Sequence, residues 1–94
     1  MEVYLDNSAT TKPTPEVIMA INRAFTEYYG NPSSLHRKGL EAERVLSQAR
    51  RGIASAIGAA PEEILFTSGG TESNNLAILG FLKRSRHLNK LIAT

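Results

Sequence analysis

Apolar positions recur at helical spacing over two stretches of the chain and collapse into short unbroken runs near its end. Val17, Ile18, Ile21, Phe25 and Tyr28 make one face of a helix. Thr14 suits its N-cap, Pro15 its first position and Glu16 its first turn, and Gly30 marks a stop. After an Asn31-Pro32-Ser33-Ser34 loop, a second helix is expected from about Leu35 to Ile57, with Leu46, Ala49, Ile53 and Ile57 in one stripe. Gly58 is its natural terminator, while Gly39 and Gly52 weaken it locally.

The later runs read differently. Val3 to Leu5 is a short strand or extended lead-in, and Asp6 to Thr14 is a polar loop. Ala59 to Glu63 is a turn in which Pro61 bars the preceding helix from continuing. Ile64 to Thr67, β-branched and aromatic, reads as a short buried strand. Leu76 to Leu82 reads as a helix buried on most of its circumference, Lys83 to Asn89 as an exit loop and Leu91 to Ala93 as another strand. A strand-helix-strand crossover over residues 64–94 requires a parallel or mixed sheet and a right-handed connection, so the fold class is α/β. There is no internal repeat, low-complexity tract or linker.

The turn joining the first of those strands to its helix carries the clearest chemistry. Ser68-Gly69-Gly70-Thr71 must reverse the chain tightly, and adjacent glycines can take positive φ and present bare amides. A helix starting near Thr71 adds unpaired N–H groups and the positive end of its dipole. A phosphate fits such a place, helped by hydroxyls such as those of Ser68 and Thr71. The plainer reading is that the glycines only let a helix pack closely on a sheet. No Gly-Lys-Ser/Thr follows, and GxGxxG is absent, so neither a Walker loop nor a dinucleotide fingerprint is present.

Composition narrows the remaining classes. Hydrophobic residues make up 41% and charged residues 21% of the chain, as in ordinary globular domains. No apolar run approaches the length of a membrane span, and Met1-Glu2 opens no signal peptide, so a cytoplasmic location is expected. The net charge is +2 and the pI about 9.2, but the basic pairs Arg37-Lys38, Arg50-Arg51 and Lys83-Arg84 are separated by acidic residues and lack interleaved aromatics. That pattern argues against nucleic acid. Arg50 and Arg51 are expected near a helix C-terminus, where they favour the dipole. The chain has no cysteine, and His36 and His87 are single, so no metal site is expected. Asp6, Glu62 and Glu63 form no acid-base pair. Asn7 and Ser8 either face a cleft or satisfy loop amides.

Three ordered blocks, YLDNSATT at 4–11, GNPSSLHRKG at 30–39 and FTSGGTESNNLAI at 66–78, resemble the cysteine desulfurases, pyridoxal-phosphate enzymes of the class V aminotransferase group. The resemblance spans nearly all of residues 4–80. It implies the N-terminal part of a fold type I transferase, with helices packed on a mainly parallel sheet. Members of that group are several times longer than 94 residues, and Lys90 to Thr94 reads as the start of a buried strand. The chain is therefore expected to be an incomplete N-terminal segment, with residues 1–60 forming an N-terminal loop and helices and residues 61–94 beginning the large cofactor-binding domain.

The resemblance also implies the chemistry. Pyridoxal phosphate needs a Schiff-base lysine, an aspartate at its pyridine nitrogen and a phosphate anchor. Only the anchor falls here, on Gly70 and Thr71; some relatives carry alanine in place of Gly70, which puts the weight on its amide. None of Lys12, Lys38, Lys83 or Lys90 matches the lysine motif, and the sulfur-accepting cysteine is absent, so no catalytic residue is assigned. The implied reaction takes sulfur from L-cysteine, leaving L-alanine and an enzyme persulfide for iron-sulfur cluster assembly or other sulfur transfer. A homodimer and a sulfur-acceptor or scaffold protein are the implied partners. Selenocysteine lyase, another class V enzyme, a non-catalytic phosphate-binding module and a fragment with no ligand of its own are the alternatives.

Overall fold

The computed structural model describes residues 1–84, which fall into two compact units, Met1–Pro61 and the part of Glu62–Thr94 within that range. Three α-helices and one short 3₁₀ turn make up the regular structure: α1 (Pro15–Thr26), α2 (Arg37–Ile57), the 3₁₀ turn Pro61–Glu63 and α3 (Gly70–Arg84).

In the first unit, α1 starts where the sequence places it, with Thr14 in extended conformation at the cap and Pro15 at the first position. The Thr14 hydroxyl bonds the Glu16 carboxylate instead of a backbone amide, and this bond holds the Glu16 carboxyl below its ordinary range. The helix ends at Thr26, short of the expected Gly30 stop. The Arg23 carbonyl there accepts from the amides of both Glu27 (2.8 Å) and Tyr28 (3.3 Å). Its guanidinium in turn binds the Glu27 carboxylate at 3.3 Å and the Tyr28 hydroxyl at 2.7 Å. Tyr28 is thereby folded back onto the last turn and leaves the helical face predicted for it.

The segment from Gly30 to Gly39 forms a lock between the two helices. Asn31 accepts from the Ser33 amide through its side chain (2.9 Å) and from the Ser34 amide through its carbonyl (2.9 Å), with Pro32 at the second position of the turn. His36 then caps α2, its Nδ1 accepting from the Gly39 amide at 3.3 Å. The turn lies directly on the first coil of the helix. A Cβ on Gly39 would land on the Ser34 carbonyl oxygen and lie 2.7 Å from that of Asn31, and one on Gly30 would land on the Lys38 carbonyl. Gly39 is buried and belongs to the packing; it is not the weak point that helix propensity suggests.

Lys38 ties the same region together from outside. Its Nζ reaches the Glu27 carbonyl at 3.3 Å and the Glu41 carboxylate at 3.0 Å, and it lies 5.3 Å from the centre of the Tyr29 ring. Lys38 holds the Glu41 carboxyl below its ordinary range, first through this hydrogen bond. At the far end of α2, Gly58 takes φ 69° and ψ 30°. The Ala59 amide returns to the Ala54 carbonyl (2.9 Å) and the Gly58 amide to Ser55 (3.4 Å), the paired bonds of a Schellman cap. Arg50 and Arg51 lie more than a turn before this end, contrary to the placement expected for them, and Arg51 donates to Ser47 Oγ at 2.9 Å.

Burial differs from the amphipathic pattern. The buried positions of α2 are Gly39, Ala42 and Ala54, whereas Leu46, Ile53 and Ile57 are exposed. Neither α1 nor α3 has a buried residue, and Leu76, Ile78, Leu79 and Phe81 of α3 are at least 41% exposed, against the expectation of a helix covered on most sides. No strand occurs among the described residues, so the expected sheet is not observed in them. A ladder needs a second extended segment beside Ile64 to Thr67, and the one expected to supply it, Leu91 to Ala93, lies outside the described residues. Lys83 and Arg84 belong to the last turn of α3 and not to an exit loop, where their charges favour the dipole.

Replacing Gly with Ala inside a helix ordinarily stabilises by about 0.5–1 kcal/mol. At Gly39 the sign should reverse, because backbone atoms must move to admit a methyl group, with a loss of about 1–3 kcal/mol. Denaturant unfolding of the purified Gly39→Ala protein checks this, and an unchanged or raised midpoint would refute the lock.

Candidate functional site

The head of α3 is built by side chains that fold back on the turn before it. The Gly69 carbonyl accepts from the Ser73 amide at 3.1 Å and begins the helix. The hydroxyls of Thr67 and Ser73 lie 2.7 Å from each other and each 3.2 Å from that same carbonyl. Glu72 reaches backwards: one carboxylate oxygen, Oε2, accepts from the Ser68 amide (2.6 Å) and the Ser68 hydroxyl (2.7 Å). Asn75 donates to the Thr71 carbonyl at 2.8 Å.

This arrangement decides which groups remain to meet a ligand. The Ser68 amide and hydroxyl, counted in the sequence as anion ligands, are occupied by Glu72. The amides of Gly70 and Thr71 lie in the first turn, where no intrahelical acceptor exists, and none is seen for them among the described residues. Both residues are exposed, and nothing lies within 4 Å of the position a Gly70 Cβ would take. The two predicted residues therefore sit side by side, exposed, at the positive end of a 15-residue helix.

Backbone conformation does not account for the glycine pair at the head of α3. Gly58 is the only described glycine with positive φ, so neither Gly69 nor Gly70 is required by backbone conformation. No packing contact requires Gly70 either. What it offers is access to its amide. The clamp formed by Glu72 was missed, although Glu72 stands three residues after Gly69, in the place a capping box gives to its carboxylate.

The other candidates have local roles. Asn7 Nδ2 donates to the Tyr4 carbonyl and Thr11 Oγ1 to the Asn7 carbonyl, both at 3.4 Å, and the Tyr4 hydroxyl bonds Thr10 Oγ1. Glu2, Tyr4, Thr10, Thr11 and Lys12 line an open cavity of about 460 Å³. His36 is a helix cap. Among the described residues no cluster of three or more His, Cys, Asp or Glu could hold a metal, and no helix is long and apolar enough to cross a membrane.

The Ser68 contacts, hydroxyl first and amide second, hold the Glu72 carboxyl below its ordinary value of 4.5. A lowered folded-state value means that the clamp is at full strength above about pH 4.5 and is lost as pH falls through the folded-state midpoint. Carboxyl carbon NMR should show Glu72 titrating below 4.5, with the Ser68 amide resonance moving in the same step. A midpoint at or above 4.5 would contradict the clamp.

Comparison with known proteins supplies the family. The chain is 54% identical over 79 residues to the cysteine desulfurase IscS of Dictyoglomus turgidum, covering 84% of this chain and 20% of that protein. It is 49% identical over 82 residues to the selenocysteine lyase of Homo sapiens, covering 87% and 18%. A NifS/IcsS protein homolog of Lactobacillus delbrueckii subsp. bulgaricus matches at 46% over 92 residues, covering 98% and 24%. The chain thus spans about a quarter or less of the length of these relatives. No solved structure gives a significant match. The model of the aminotransferase class-V family matches residues 3–94, and the chain belongs to that family.

Proposed function

We propose that residues 1–94 are the N-terminal segment of a pyridoxal-phosphate-dependent cysteine desulfurase, with residues 1–60 as its N-terminal loop and helices and residues 61–94 opening the large cofactor-binding domain. The observation that supports this reading is the head of α3, where the exposed Gly70 and Thr71 carry first-turn amides with no acceptor among the described residues and nothing lies within 4 Å of a Gly70 Cβ position. A phosphate monoester fits these groups: two adjacent N–H donors, the Thr71 hydroxyl, no Cβ to hold the ligand off and a helix dipole of the right sign. Bound pyridoxal phosphate supplies an electron sink to the substrate's carbon atoms. The part of this segment is to hold the phosphate and so orient the ring.

In this reading the complete protein is a cytoplasmic homodimer acting on L-cysteine. A thiol elsewhere in the protein takes the sulfur atom, giving L-alanine and a persulfide, which then passes to an acceptor or scaffold protein for iron-sulfur cluster assembly or another sulfur-transfer route. A second reading, selenocysteine lyase, is favoured by the near-equal identity to relatives of that name.

The full-length protein is expected to yield alanine and protein persulfide in equal amounts in a single turnover with L-cysteine. Transamination of cysteine without persulfide would defeat the desulfurase reading, and turnover of selenocysteine with none of cysteine would install the second. Gly70→Val should weaken cofactor binding by crowding the phosphate, and Thr71→Ala by removing a hydroxyl. Each lost charge-assisted bond corresponds to about 1.5–3 kcal/mol, or roughly one to two orders of magnitude in Kd. Unchanged cofactor retention in both folded variants would remove the anchor from this turn. Residues 1–94 alone, with added pyridoxal phosphate, should release no sulfide above the free-cofactor background.

A further inference from the structure

Glu72 presents a problem that the phosphate reading does not resolve. A carboxylate beside an anion-binding helix start repels the ligand, yet the exposed Glu72 side chain bends back onto the turn, with Oε2 2.6 Å from the Ser68 amide nitrogen and 2.7 Å from its hydroxyl oxygen. Capping of the helix's own amides does not account for this arrangement, since the amide that Glu72 holds belongs to Ser68, two residues before α3 begins.

Two consequences follow from the distances. First, Glu72 consumes the Ser68 amide, the donor next to the cradle, so the amides left open are those of the helix's own first turn. Second, the carboxylate and the Thr67–Ser73 hydroxyl pair fasten the turn on both sides of Gly69. The open amides are then fixed before a ligand arrives, which lowers the ordering cost of binding.

The geometry points to Glu72 as a positioning residue for the cofactor phosphate: by holding Ser68 it selects the Gly70 and Thr71 amides as the donors and freezes their direction. This inference rests on the phosphate reading of the α3 head. Glu72 acts through the turn and does not touch the phosphate.

The test uses the full-length protein loaded with pyridoxal phosphate, with cofactor Kd and the phosphorus NMR resonance of the bound phosphate as readouts. Glu72→Ala should raise Kd about fivefold or more through lost pre-organisation and should shift or broaden the phosphorus resonance. Glu72→Gln keeps an acceptor for Ser68 and should remain within about twofold of the parent on the same argument. Glu72→Asp keeps the charge but falls short of Ser68, and should behave like the alanine variant; it decides the matter if Glu72→Ala does not fold. A lowered Tm with unchanged Kd and phosphorus spectrum in Glu72→Ala or Glu72→Asp would reduce Glu72 to a helix cap and overturn the inference. If Gly70→Val and Thr71→Ala weaken binding while Glu72→Ala and Glu72→Asp do not, only this inference fails. If none of the four does, the phosphate reading fails with it.

Discussion

Backbone atoms of the Asn31–Ser34 turn and of the first coil of α2 approach more closely than any side chain permits, and the first unit is organised around that contact. The approach explains glycine at both ends of the 30–39 block, since a methyl group at either end would land on a carbonyl oxygen. The α2 cap falls at the same place, with His36 Nδ1 accepting from the amide of Gly39. The approach also explains why Lys38 can reach back to the last carbonyl after α1 while pairing with Glu41. Exposed ion pairs such as Lys38–Glu41 contribute little by themselves. Their geometry records a position that steric fit has set.

The legible parts of the fold were those written in local chemistry. Thr14-Pro15-Glu16 and Gly58 marked helix ends because caps are decided by one or two residues and their own dihedral angles. The end of α1 was misread because a side-chain arrangement around Arg23 stops it, and no single residue type announces that arrangement. The apolar stripes were read correctly as patterns and incorrectly as burial, since periodicity shows which faces can be covered and not what covers them. Strands are the extreme case, because their hydrogen bonds belong to a partner and not to the run of residues that predicts them.

The α3 head was legible in part for the same reason. That Gly70 and Thr71 would carry open amides could be read because helix starts expose them whatever the surrounding fold. Their relation to Ser68 and Glu72 could not be settled by composition, since a serine beside glycines looks like one more anion ligand until an internal carboxylate is found on it. Which donors the turn leaves open thus depends less on their number than on which of them the chain has already used.

The length of α2 gives the lock a mechanical meaning. Twenty-one residues at 1.5 Å each make a rod of about 30 Å, seated at one end by His36 and Gly39 and closed at the other by Gly58. A rod of that length is a lever. An angular error of about 10° at its seat would carry the far end roughly 5 Å sideways, with every helical hydrogen bond intact. An imperfect seat at residues 30–39 would accordingly show as a change in the direction of α2 within the first unit as well as a loss of stability, with the helical hydrogen bonds of the rod themselves unchanged.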